Sequence, residues 1–175
     1  MRLSHSTRHV WSYRALFLAL CASVISIKMM PLSLDNSAVP GPDLLLALTL
    51  AWLLRQPAVV PLGAIVVVFL LADFLFQRPP GLWTLLVVIT SEVLRRRRLT
   101  MTEFPFLLEW SAFAGAVVVM ILAERLLLWM LLVDTAPLGL SLAHAIVTAA
   151  IYPLVVGISK FLFGLRKIGP AEAEV

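Results

Sequence analysis

One cysteine, Cys21, stands in a chain of 175 residues. No internal disulfide and no cysteine-based metal site can therefore form, so neither supplies stability or chemistry. Charge is scarce as well. Asp, Glu, Lys and Arg together make 14% of the chain and apolar residues 61%, against roughly 45–50% apolar in water-soluble domains. That balance excludes a soluble globular class and points to an all-α, polytopic membrane protein. Long polar segments are missing too: the longest connection, residues 31–42 (PLSLDNSAVPGP), falls far short of the ~40 residues at which independent domains become marginal. Function is expected within or against the membrane. A nucleophile with a base, a Gly-rich phosphate loop, a metal constellation and an internal repeat at transporter scale are all absent from the pattern. The expectation is a non-enzyme without a cofactor.

What is present is a series of apolar runs separated by breakers. Residues 1–14 are polar, with Arg2, Arg8 and Arg14, and Ala15 to Met30 is the first span, closed by Pro31. Its apolar run lacks a small-x-small cleavage site, and a bulky Leu20 precedes Cys21, so the segment reads as a retained anchor with a buried, inert thiol. Leu44 to Leu54 follows; eleven residues rise only ~16 Å against a hydrocarbon core of about 30 Å, so this run either recruits its flanks or is re-entrant. Arg55-Gln56-Pro57 turns the chain into Val59 to Phe76, Gln77 to Pro80 turns it again, and Gly81 to Leu94 is short. Thr100 with Glu103 has the form of a capping box opening a long fifth helix that runs beyond Pro105 to Val133. Asp134 to Pro137 ends it, and Leu138 to Phe163 is the last span, interrupted by Pro153.

About six crossings result, and the basic residues orient them. With the N-terminus inside, the cytoplasmic side collects Arg2, Arg8, Arg14, Arg55, Arg95 to Arg98, Lys160, Arg166 and Lys167, and the outer side only Lys28 and Arg78. A re-entrant Leu44 to Leu54 would invert every later span and place four arginines outside. The division is thus 1–14 as cytoplasmic N-terminus, 15–163 as a single transmembrane domain and 164–175 as cytoplasmic tail, N-in and C-in. The net charge of +4 reflects this flanking rather than nucleic-acid binding.

Few residues carry polar chemistry inside the spans. Asp73 lies near the outer end of the third span, a functional candidate because desolvating a carboxylate costs several kcal/mol; its simpler reading is a helix-end residue bonded to the following turn, with Arg78 close by. Arg125, on the fifth helix, sits near the same depth. An Asp73–Arg125 ion pair tying the third and fifth helices is expected, with side chains more than ~6 Å apart as the refuting observation. Glu124 needs a partner on another helix because neighbours in sequence point about 100° apart. Glu109, four turns below Glu124 near the inner end, cannot form an acid/base dyad with it. Glu92 is within reach of Arg95 and Arg96 as a surface pair. His144, without a second His or acid nearby, reads as a packing or hydrogen-bonding residue. Arg95, Arg96, Arg97 and Arg98 fix orientation and meet anionic headgroups of membrane lipids. Small residues (Ser111, Ala112, Gly115, Ala116; Ala145, Ala149, Gly157) let backbones approach. Trp11, Trp52, Trp83, Trp110 and Trp129 fall near span ends, as interfacial anchors do.

PDLLLALTLAWLLRQP (Pro42 to Pro57), the run ending LLADFLFQ (Leu70 to Gln77) and PPGLWTLLVVI (Pro79 to Ile89) together resemble the rod shape-determining membrane protein MreD family of bacteria. The resemblance extends over residues 11–165 and is sharpest from Pro42 to Leu94. Val66 to Ala72 lacks the Gly that the family often carries before its intramembrane Asp. The resemblance implies a non-catalytic inner-membrane scaffold of the cell-elongation machinery. It would bind the single-span periplasmic protein MreC and act with MreB, RodA and a class B penicillin-binding transpeptidase of peptidoglycan synthesis; a homodimer is a further option. It also implies a fold like the substrate-binding subunits of vitamin transporters. Asp73, Arg78, Pro80, Gly81, Glu124 and Arg125 are the structural or partner-binding candidates. The competing reading is a small-solute or lipid transporter subunit with a polar site lined by Asp73, Glu124 and Arg125. An enzyme acting on lipid-linked precursors ranks third.

Overall fold

The computed structural model describes residues 3–30, 41–101, 106–133 and 137–163, and all regular structure among them is helical. The helices are α1 (Leu3–Met29), α2 (Leu44–Arg55), α3 (Leu62–Leu75), α4 (Leu82–Met101), α5 (Phe106–Met130) and α6 (Leu138–Phe163). Three are long and apolar enough to cross a membrane: α1 over Val10–Met29, α5 over Phe106–Met130 and α6 over Leu138–Leu162.

The breakers act where their chemistry predicts. Asp43 caps α2, its carboxylate accepting the Leu46 N–H at 3.1 Å, and Pro57 forbids continuation past Gln56. Pro61, extended at ψ 150°, opens α3. At its far end Gln77 takes φ 55°, while the Arg78 N–H donates to the Asp73 carbonyl and the Gln77 N–H to that of Phe74. This is a Schellman closure with Gln in the place usually held by Gly. Gly81, at φ +87°, supplies the second left-handed position of the same turn, which a side chain would resist.

Three boundaries differ from expectation. Helix α1 begins at Leu3 rather than at Ala15, because the polar N-terminal residues contain no breaker. Helix α4 continues through the four arginines to Met101; arginine is a good helix former, so the polar run ends the apolar face without ending the helix. Thr100 consequently lies inside α4 and does not cap α5, and Glu103 lies outside the described residues.

The bundle is organised around α2. Helix α2 packs against α1, α4 and α6, and the others succeed one another around it through α1–α3, α3–α4, α4–α5 and α5–α6 contacts. Every residue from Leu45 to Arg55 is buried. A helix apolar on all sides is expected to be enclosed, and this one is enclosed by protein. Because lipid tails are as apolar as leucine, burial alone does not hold it; close packing and hydrogen bonds must. Trp52, fully buried, meets the rings of Phe17 at 5.8 Å and Tyr13 at 6.5 Å, and its Nε1–H donates to Ser159 Oγ on α6 at 3.2 Å. Trp52 is thus a core residue and not an interfacial anchor. Cys21 is buried in the same core.

Candidate functional site

The polar contacts fall at two ends of the bundle. At one end, α3 and α4 form a hairpin closed by Asp73. Its side chain is almost wholly buried, at 1% exposure. Oδ2 accepts the backbone N–H of Gly81 at 3.1 Å, that of Thr84 at 3.2 Å and the Thr84 hydroxyl at 2.7 Å. The carboxylate therefore sits at the N-terminus of α4, where free N–H groups and the helix dipole favour an anion. Oδ1 has no hydrogen-bond partner among the described residues.

Other groups gather at the same end. Asp43 is buried, with its N–H donating to Thr148 Oγ1 on α6 at 3.0 Å. Arg78 lies 3.9 Å from its carboxylate and places its guanidinium over the rings of Phe76 and Trp83, at 5.8 and 5.3 Å. Lys28 of α1 covers the Phe76 ring at 4.9 Å. His144 donates from Nδ1 to the Gly41 carbonyl at 2.9 Å, the hydrogen-bonding role expected of it. Pro80 is exposed at the tip of the hairpin.

The expected Asp73–Arg125 tie does not form. Arg125 instead donates to Ser141 Oγ on α6 at 2.8 Å, and Asp73 bonds the N-terminus of α4 through Oδ2. Equal depth placed both groups on one level, but the azimuth of α5 turns Arg125 toward α6. Glu124 is half-buried and makes no hydrogen bond or ion pair with any described residue, although it lies within the electrostatic reach of Arg78, Asp43 and Asp73.

The opposite end carries a constellation that the sequence reading missed. Arg55 and Glu109 form a buried salt bridge of 2.8 Å, and the Tyr152 hydroxyl donates to the same Glu109 oxygen at 2.8 Å. Helices α2, α5 and α6 are thereby joined at one point, and Phe113 stacks on Tyr152 with centroids 4.0 Å apart. Arg55 had the look of an orientation signal, since it ends an apolar run. The clue was available: Arg55 and Glu109 belong to the same end of the expected bundle, opposite in sign, and neither can remain unpaired at low dielectric.

The arginine run does not act as one patch. Arg95 turns inward and donates to the carbonyls of Val60 at 2.6 Å and Pro57 at 3.4 Å, so it clamps the α2–α3 loop rather than meeting headgroups. Arg14 from α1 grips the same loop through the Ala58 carbonyl at 2.9 Å. Arg96 pairs with Glu92 across one helical turn at 2.8 Å, as its spacing implies. Arg97 is exposed beside a cleft between α4 and α5. The side chain of Arg98 lies outside the described residues.

Among the described residues no group of His, Cys, Asp and Glu is placed to hold a metal ion. The geometry supports mechanical roles: a cap that fixes the α3–α4 hairpin, a clamp on the α2–α3 loop and a three-helix tie. Comparison of the chain with models of protein families, with curated proteins and with solved structures finds no match.

Proposed function

We propose that the chain is a scaffold of the MreD type: a non-catalytic protein of a bacterial inner membrane that crosses it six times, N-in and C-in, and holds an MreC-like single-span partner within the cell-elongation machinery. The observation that carries this reading is where the resembling segments fall. Pro42 to Pro57 becomes the enclosed helix α2, and Leu70 to Ile89 becomes the Asp73-capped hairpin. The charges of these segments that lie in the bundle are engaged in holding helices together, as a scaffold requires. Arg14, Arg55, Arg95 and Lys160 gather at one end, consistent with a cytoplasmic face. The hairpin tip, with Arg78, Pro80 and Gly81, then lies at the outer face, where a periplasmic partner leaves the membrane.

The test is co-purification of the full chain from its native membrane in mild detergent. Wild type should bring an MreC-like protein with it, and Arg78→Ala should weaken the complex without loss of folded chain. An intact chain that never retains such a partner would count decisively against the scaffold.

One observation favours the alternative, a solute or lipid transporter subunit. Neither Glu124 nor Asp73 Oδ1 has a bonding partner among the described residues, leaving acceptor capacity at the outer end. That reading expects a cationic solute to raise the melting temperature of wild type and not of Glu124→Gln.

A further inference from the structure

Between α4 and α5 runs an open cleft of about 430 Å³, within the ~300–1,000 Å³ typical of ligand-sized clefts. Its walls are mostly apolar, from Ile89 and Val93 on α4, with Thr90 between them, and Val119 on α5, and its floor is low because α5 presents Ala112, Gly115 and Ala116 there. A Cβ added at Gly115 would meet nothing within 4 Å. One ionised group lines the cleft, Arg97. It differs from its neighbours in the run: Arg95 is held by loop carbonyls and Arg96 by Glu92, whereas Arg97 makes no bond to any described residue.

We propose that this cleft seats an acyl chain of an anionic phospholipid whose phosphate is held by Arg97. An apolar channel with a cation at its mouth complements an anion carrying a hydrocarbon tail, and a guanidinium binds phosphate oxygens through paired N–H donors. A free phosphate would leave the channel unfilled. The length also selects the occupant. From Ala112 to Val119 α5 rises only ~10 Å, about a third of the ~30 Å hydrocarbon core. The cleft therefore stays within one leaflet, as a lipid does, while a partner's crossing helix would need a groove through both. The inference holds whether or not the chain belongs to the elongation machinery.

Native mass spectrometry of the full chain in detergent tests it, with phosphatidylglycerol and phosphatidylcholine of matched acyl chains and with glycerol phosphate as the headgroup alone. Wild type should retain phosphatidylglycerol over phosphatidylcholine and should not retain glycerol phosphate. Arg97→Gln should lower phosphatidylglycerol retention about five-fold, the effect of one basic residue near an anionic surface, with an unchanged melting temperature. Gly115→Leu, which fills the channel, should lower retention of both lipids, and Arg96→Gln should change neither. Equal retention of the two lipids by wild type would overturn the proposal. So would equal losses from Arg96→Gln and Arg97→Gln, full retention by Gly115→Leu, or photocrosslinks from position 119 in native membranes that capture a protein helix instead of lipid.

Discussion

Two buried carboxylates are satisfied in opposite ways. Asp73 takes its bonds from Gly81 and Thr84, eight and eleven residues onward in the chain. Glu109 takes its bonds from Arg55 and Tyr152, 54 and 43 residues away. The first arrangement is local: it needs a tight turn and the N-terminus of the next helix, and it can form as soon as α3 and α4 are side by side. The second needs three helices in place at once. Asp73 fixes a hairpin, and Glu109 closes the bundle. The ligand types follow from this. Backbone N–H groups are always present at a helix start, so a neighbouring carboxylate finds them without a dedicated partner, whereas a carboxylate deep among side chains requires a cation supplied by another helix.

The sharpest way to break the comparison is at the long-range site. Arg55→Ala should lower stability by about 3–5 kcal/mol, because it leaves the Glu109 carboxylate buried without its cation; thermal unfolding in detergent reads this directly. Replacing both members by apolar residues, Arg55→Met with Glu109→Leu, should recover most of the loss, since removing both charges also removes the desolvation penalty. At the local site Asp73→Ala should cost about 2 kcal/mol, the loss of a cap with the Thr84 groups left unmatched. Hydrogen exchange should show faster opening confined to the first turn of α4, and a change spread over α5 and α6 would contradict the local assignment. Tyr152→Phe should be milder, about 1 kcal/mol, since the ion pair remains. The smallest effect is a gain: Gln77→Gly relieves a left-handed side-chain conformation and should stabilise the turn by up to about 1 kcal/mol, seen as a small rise in melting temperature.

The same contrast explains what could be read from residues alone. Pro57, Pro61 and the Pro79-Pro80-Gly81 turn are backbone signals with fixed geometry, so the order of the six helices was legible, and so was the simpler reading of Asp73 as a residue bonded to the turn that follows it. The enclosure of α2 was not. A run such as LLLALTLAWLL is the same text whether it faces lipid or protein, because both environments are equally apolar. Its shortness suggested an awkward crossing when it marked an interior helix. Depth along the chain also ranks residues by level without giving their bearing around a helix. Depth alone therefore pairs Asp73 with Arg125, which faces Ser141, and makes a flank of Arg55, which points to Glu109. The arginine run was legible as a charge but not as four separate environments, since i, i+1 neighbours on a helix point in different directions.

Helix α2 has a consequence for how the chain is made. Its twelve residues reach only ~18 Å and end in an arginine, a poor candidate for stable entry into lipid by itself. Two of the groups that receive it come late in synthesis: Thr148, which accepts the N–H of its capping Asp43, and Ser159, which accepts the Trp52 Nε1–H, both belong to α6. During translation α2 therefore waits, through the emergence of four further helices, for the segment that accepts its ends. Assembly of the centre is deferred until α6 has emerged. A nascent protein stopped before Leu138 already holds the Arg55–Glu109 pair but leaves the Asp43 N–H and the Trp52 Nε1–H without their α6 acceptors.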